Sequence, residues 1–415
     1  MRQELDVHLC GRLVGQLVQD VHGGCTFQYD QAWVSDARSM PLSRSLPLRE
    51  KPFHWRECQG FFAGILPEQD KRVLVARNTG VSANNDFALL RKIGGECAGA
   101  VTFLPRGEAS PPASPASRPL DPAELARLLR RLPGRPLLAG EAGVRLSLAG
   151  AQTKLAVRIV DGVVHLPLDS TPSTHIVKPA IDGLPGIVAN EAFCLRLAAA
   201  VGIPAARATA ERVEDIDYLL VERYDRSPVQ GGGPERLHQE DFCQALNVAP
   251  SHKYQEEGGP SLRQCFALLR DASTAPARDL ATLLDSVAFN CVIGNNDAHG
   301  KNFSLLYSPD AGGGVSVRLA PLYDLICTVR YGEMSPRMAM RLGEAYDSSR
   351  LGARDFDRFA DEADMRRAEV RRRVAELAAA AADKIDTVLA EVPGAGEVAE
   401  VVRRRSAHIA GMLRG

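Results

Sequence analysis

Between Pro105 and Pro119 the chain reads PRGEASPPASPASRP, a run with almost no apolar side chain to bury. Such a segment cannot join a core, so the chain must fold on either side of it, and a linker is predicted at 105–120. The length allows this, because 415 residues at roughly 150 per domain give two to three domains. Hydrophobic residues make up 45% and charged residues 24%, which excludes a collagen-like, coiled-coil or disordered polypeptide. Lys plus Arg is 50 and Asp plus Glu is 51, so the formal charge of −1 provides no global attraction to nucleic acid or anionic lipid. Any such contact must be local.

Before the linker, 1–104 reads as a small α+β lobe. Leu5, Val7, Leu9 and Leu13, then Phe27 and Tyr29, alternate as in strands, with Gly11-Arg12 and Gly23-Gly24 as breaks. After it, Asp121-Pro122-Ala123-Glu124 opens a helix whose apolar face is Leu125, Leu128, Leu129 and Leu132, and Pro133-Gly134 stops it. Loop-like segments rich in Gly, Ser and Pro follow at Asp225 to Pro234 and Ser308 to Gly314. From about 355 the pattern is helical, through Phe356, Phe359, Val370, Val374, Leu377, Ile385 and Leu389. The expected parts are therefore 1–104, the linker, 121–235 and a mainly α region at 236–415. The nine cysteines are scattered with no C-x-x-C pair, which points away from a zinc ribbon or disulfide framework and towards a reducing cytoplasm. The longest apolar stretch, Leu377 to Ala382, is far short of the ~20 residues of a bilayer span.

The chemistry is concentrated in Asn296-Asp297-Ala298-His299-Gly300-Lys301-Asn302, a polar run between an apolar helix (Leu284, Val287, Ala288, Val292, Ile293) and a strand (Phe303 to Tyr307). Phosphoryl transfer needs a carboxylate beside the attacking hydroxyl and an amide or carboxylate oxygen on the metal; Asp297 and Asn302 supply both. A second metal carboxylate must arrive on another segment, and Asp324 can, because a hairpin (strand to Tyr307, Gly-rich turn, strand Val315 to Leu319) returns the chain. Lys178, ending the strand-like Thr174-His175-Ile176-Val177, can pair with α- and β-phosphate oxygens. The small-residue loop Ser147 to Lys154 can bring backbone N–H groups to phosphates, and Leu219 to Asp225 is a strand leaving into a loop, suited to adenine. Taken singly, each has a bland reading as a turn, a strand end or a surface lysine. Their chain order is that of a bilobal kinase.

With these motifs the sequence resembles the HipA family of bacterial toxin serine/threonine kinases over nearly its whole length. The carrying segments are Ser147-Leu-Ala-Gly-Ala-Gln-Thr-Lys154, Thr174-His-Ile-Val-Lys178, Asn190-Glu191, Val221-Glu-Arg-Tyr-Asp-Arg226, His238-Gln-Glu-Asp-Phe-Cys-Gln244, Asn296 to Asn302 and Pro321-Leu-Tyr-Asp324. The resemblance implies an α+β, bilobal protein kinase-like fold with an N-terminal α/β subdomain (1–104), a kinase N-lobe part (121–235) and a mainly α-helical C-lobe (236–415). It implies ATP and Mg²⁺ as cofactors, Asp297 as the catalytic aspartate, Asn302 and Asp324 as metal ligands, and Lys178 on the α/β-phosphates. Ala149, Gly150, Ala151, Gln152, Thr153 and Lys154 become the phosphate loop, and Glu222-Arg223-Tyr224 the adenine segment, with backbone contacts from Glu222 and Tyr224. His299, Gly300, Lys301, Asn302, Tyr323 and Asp324 line the nucleotide site. Ser147 becomes an autophosphorylated serine whose roughly two added negative charges would repel ATP and expel the loop. Glu191 reads either as a partner of Lys178 or as a solvated acid at a helix start.

The implied partners are a HipB-type helix-turn-helix antitoxin, operator DNA through that complex, and an aminoacyl-tRNA synthetase substrate such as the glutamyl enzyme, with no membrane and a cytoplasmic location. The basic segments Arg366, Arg367, Arg371, Arg372, Arg373 and Arg403 to Arg405 read first as solvated helix faces and second as phosphate contacts. Thr153 stands where the family commonly has Glu, Ala298 and Gly300 exchange the small residues around His299, and the linker is long. A nucleotide-binding co-repressor subunit with little kinase activity is the alternative reading, and a kinase acting on a small metabolite or lipid is a third.

Overall fold

The computed structural model describes residues 2–108, 116–227, 234–310 and 312–414; the centre of the Pro-rich run and part of the Asp225 to Pro234 loop lie outside them. The chain divides into two compact units: Met1–Pro179, Arg212–Ser251 and Leu306–Ser316 form one, and Ala180–Glu211, His252–Leu305 and Val317–Gly415 the other. The overall class is α+β.

In the first unit, an antiparallel five-stranded sheet runs in the order Phe53–His54, Cys25–Tyr29, Arg12–Gln19, Gln3–Leu9, Val101–Pro105. Its alternation is that of a half-buried sheet, with Leu5, Val7 and Leu9 buried and their neighbours partly solvated. Cys10 and Gly11, both at positive φ, turn the first hairpin, as a two-residue reversal between right-twisted strands requires. Helices Trp55–Gly64, Gln69–Thr79 and Asp86–Ile93 contribute Phe61, Phe62, Val75 and Phe87 to the same core.

A second sheet of this unit has the order Ala208–Val213, Ile216–Glu222, His175–Pro179, Leu155–Val160, Val163–Pro167, Ser117–Pro119. The chain re-enters the unit at Arg212, within the first of these strands. Ser117–Pro119, read from composition as linker, pairs with Val163–Pro167 at the sheet edge. An edge tolerates the proline, whose missing N–H is not needed by a neighbour. Helix Pro122–Arg131, capped by Asp121 accepting from Glu124 N at 2.7 Å, lays Leu125, Leu128 and Leu129 on the core of this sheet.

The second unit is mainly helical: Ile187–Ala200, Leu262–Ala272, Pro276–Ile293, Ala353–Glu362, Arg367–Glu391 and Gly396–Arg414. Along the 25-residue helix the buried stripe is Val370, Val374, Leu377, Ala381, Ile385 and Val388; Leu389, one position further round, is only half-buried. The arginine-rich segments are largely neutralised within the unit. Arg367 pairs with Asp361, Arg371 with Asp357, Arg372 with Glu376, Arg373 with Asp285 and Arg403 with Asp386. Arg405 instead donates from Nε and Nη2 to the Cys291 carbonyl at 2.9 and 2.8 Å, placing positive charge at the C-terminus of Pro276–Ile293. Among the described residues no helix is long and apolar enough to cross a membrane.

Candidate active site

The first unit holds the small-residue loop, the strand lysine and the segment Glu222 to Tyr224. Leu146–Ser147 pairs in parallel with Glu96–Cys97. Ser147 is fully buried and donates its hydroxyl to the Ile65 carbonyl at 3.0 Å. Ala149, Gly150, Ala151, Gln152, Thr153 and Lys154 follow as a half-buried turn. In it Gly150 adopts φ +101, Glu68 N donates to the Gly150 carbonyl at 3.4 Å, and Lys154 Nζ donates to the Ala149 carbonyl at 2.7 Å.

Lys178 lies in the strand His175–Pro179, between Leu155–Val160 and Ile216–Glu222 and opposite Leu219, and is only 5% exposed. A buried ammonium needs anionic or carbonyl partners. Glu222 faces His175 across the same pair of strands and is exposed, whereas Tyr224 is half-buried and donates its hydroxyl to Gln239.

Arg223 is occupied as a strut. Its N–H donates to the Thr174 carbonyl at 2.9 Å and its guanidinium is buried against Glu96 and Asp225. Glu96 also accepts from Arg226, so two buried carboxylates and two buried guanidiniums close a network that links the end of the strand Ile216–Glu222 to Glu96–Cys97, the strand paired with Leu146–Ser147. Burial pushes the carboxyls of Glu96 and Asp225 up, and the arginines outweigh it, holding both below the usual range. This network was not legible in the sequence, since Glu96 lies in a two-residue strand and its partners are more than a hundred positions away.

In the second unit, helix Pro276–Ile293 ends at Gly294, φ +69, and Asn295 N bonds back to the Asn290 carbonyl at 2.9 Å. This left-handed cap, which glycine adopts without strain, reverses the chain and delivers Asn295 and Asn296 into the turn. Asp297 N donates to Asn295 Oδ1 at 3.1 Å, while Asn295 Nδ2 donates to Asn290 Oδ1 at 2.9 Å and reaches the Asp324 carbonyl at 3.4 Å. One amide side chain thus ties together the main chain of the two acids. Sequence reasoning passed over Asn295 because a polar residue after a helix end has a generic explanation.

The Asp297 carbonyl accepts from His299 N at 2.8 Å and from Asn302 Nδ2 at 3.1 Å, and Tyr254 donates its phenolic hydrogen to Asp297 Oδ1 at 3.0 Å. Gly300, Lys301 and Asn302 form a buried 3₁₀ turn. Tyr323 donates to the Lys301 carbonyl at 2.7 Å and shares a hydroxyl contact of 2.6 Å with Ser304. Asp324 has φ +52, a strained conformation for a residue with a Cβ and one that recurs at functional sites. The loop after it is fixed by Asn190, whose Nδ2 donates to the Cys327 carbonyl at 3.1 Å and whose Oδ1 accepts from Cys327 N at 2.8 Å. Glu191, beside it, is 2% exposed, so the reading of a solvated helix-start acid is wrong.

The donor set of this half suits magnesium. Asn302 spends its amide nitrogen on the Asp297 carbonyl, which leaves its oxygen, like the Asp324 carboxylate, a hard donor of the kind magnesium takes. Among the described residues no group of three or more His, Cys, Asp or Glu could hold a metal by itself.

A family model described as the HipA-like C-terminal domain matches residues 146–385, and the HipA N-terminal domain matches 5–104. The chain belongs to the HipA family. It is 48% identical over 389 residues to the Y4mE protein of Sinorhizobium fredii, covering 93% of this chain and 91% of that one. It is 29% identical over 371 residues to the serine/threonine-protein kinase toxin HipA of Shewanella oneidensis, covering 86% and 82%. The solved structure of Shewanella oneidensis HipA with HipB and operator DNA superposes with a TM-score of 0.86 at 26% identity, covering 99% of this chain and 98% of that one. The α+β, kinase-like architecture is therefore the HipA fold, and the segments carrying Ser147, Lys178, Asp297 and Asp324 all lie within the matched C-terminal domain.

Proposed function

We propose that this HipA-family chain is an ATP-dependent toxin serine/threonine-protein kinase that transfers the γ-phosphate to a protein hydroxyl. The observation that carries the reading is the Asn295 side chain, which bonds to the Asp297 N–H and reaches the Asp324 carbonyl, holding a base and a metal carboxylate on one scaffold. Asp297 receives the proton of the acceptor hydroxyl as its oxygen bonds to the γ-phosphorus and the bond to ADP breaks. Lys178, with the backbone of Ala149 to Lys154, binds and orients the phosphates, and Glu222 to Tyr224 serve the adenine. His299 to Asn302 and Tyr323 shape the nucleotide side of the turn. Asn302 and Asp324 would hold magnesium, which neutralises charge developing on the phosphates.

Ser147 is the proposed autophosphorylation site. Its hydroxyl is buried on the Ile65 carbonyl, so a phosphoserine carrying roughly two negative charges has no place there and the loop must leave, which inactivates the kinase. The proposed partners are a HipB-type antitoxin, operator DNA through it, and an aminoacyl-tRNA synthetase such as the glutamyl enzyme as substrate. The internal pairing of the arginine-rich helices supports DNA being reached through the antitoxin rather than through these segments. Incubation with γ-labelled ATP and magnesium tests the reading. Label at Ser147 and in added synthetase is expected; nucleotide binding with no label in any protein would leave a co-repressor subunit instead.

A further inference from the structure

The phenol on Asp297 is delivered by a stiff strap. Glu257 N and Gly259 N both donate to the Tyr254 carbonyl, at 3.0 and 2.9 Å. A side chain at Gly259 would place its Cβ 2.6 Å from the Lys253 carbonyl carbon, so the turn closes only with glycine there. The strap is held to the hairpin strand Arg337–Leu342 twice: Arg337 pairs with Glu256, and Arg341 N donates to Gln255 Oε1 at 3.0 Å. The Tyr254 ring meets the His299 ring edge-on at 5.5 Å, with the Lys253 ammonium 5.4 Å from its centre. Tyr254 is therefore fixed from both ends of its side chain.

A carboxylate with a fixed main chain still turns about two side-chain bonds, and proton transfer tolerates little misplacement. We infer that Tyr254 is a positioning residue for the transfer proposed above: its phenol bonds Asp297 Oδ1 and helps fix the orientation of the carboxylate that takes the acceptor's proton. Tyr254 keeps its own proton throughout. The role rests on Asp297 being the base. A hydroxyl 3.0 Å from a base also resembles a bound acceptor, and a decoy of that kind would have the opposite kinetic sign.

Tyr254→Phe removes one oxygen and keeps the ring on His299. Single-turnover autophosphorylation with labelled ATP should slow about tenfold. The KM for ATP should stay within about twofold of wild type and the melting temperature should not move. A rate equal to or above wild type, or a raised KM with unchanged kcat, overturns the positioning role, and a faster variant identifies the decoy. Asp297→Asn is measured in parallel. If that variant still transfers phosphate, the base assignment falls; if it is inactive while Tyr254→Phe matches wild type, only the role of Tyr254 falls.

Discussion

Replacing Glu96 with glutamine removes one charge from a buried set of four while nearly preserving its shape. Arg223 Nη1 donates to the two carboxylate oxygens at 3.0 and 3.1 Å, Arg226 donates to Oε1, and Ser173 adds its hydroxyl at 3.3 Å. With Glu96 neutral, two guanidiniums share Asp225 alone. Burial and repulsion from Arg223 already pull Arg226 down to about 10, so the loss falls on a group with little margin. Breaking a buried ion pair on one side costs about 3–5 kcal/mol, and at about 2–4 °C per kcal/mol for a unit of this size the melting midpoint should fall on the order of 10 °C. Both tryptophans, Trp33 and Trp55, lie in this unit, so their fluorescence during thermal or urea unfolding reports on it directly. The sign with pH is also fixed. Because the folded carboxyl is held low, its stabilisation is present above the unfolded value near ~4.5 and is lost as pH falls through the lowered folded one. The gap between wild type and Glu96→Gln should therefore close in acid. A loss below about 1 kcal/mol at neutral pH would refute the strut argument.

Asn295→Ala should cost about 2 kcal/mol of stability, at about 1 kcal/mol for each well-formed hydrogen bond. It should also slow transfer at least about tenfold, because two segments lose their common anchor; an unchanged single-turnover rate would contradict that. Asp324→Asn should fold normally, since asparagine tolerates a left-handed φ, while transfer demands much higher magnesium; a magnesium titration matching wild type would remove Asp324 from the metal site. Glu240, buried beneath Ser43, Tyr307 and Arg44 N, is pushed by burial up to about 7, so its contribution to stability is full below its unfolded value near ~4.5 and is lost as pH rises to about 7. His238, pulled by burial down to about 4, has the opposite slope, its contribution being lost as pH falls below ~6.5. The two offset each other in wild type; in Glu240→Gln, unfolding free energy relative to wild type should rise with pH between 5 and 7 by up to about 1.4 kcal/mol per unit. A flat difference would show that Glu240 is ionised.

Periodicity and turn chemistry carried much of the fold. The capped helix at Pro122, the strands either side of the Gly-rich turn at 308–314 and the helical carboxy-terminal region appear because each follows from local pattern. Ser117–Pro119 does not, since its composition matches a linker and only pairing with Val163–Pro167 makes it a strand. The polar run at 296–302 stood out where one apolar period stopped and another began. Its supports did not: Tyr254 lies 43 positions before Asp297, and Asn190 lies 137 before Cys327. Glu96 and the arginine pairs of the long helix were likewise hidden, because charge on a sequence does not say which opposite charge it meets.

The base assignment is tested most directly by measuring ATP affinity and the single-turnover rate of γ-phosphate transfer on the same folded Asp297→Asn protein. ATP should bind within about threefold of wild type while transfer falls by at least about a hundredfold, the lower end of what a positioned general base contributes. Transfer at the wild-type rate with ATP bound would contradict the account.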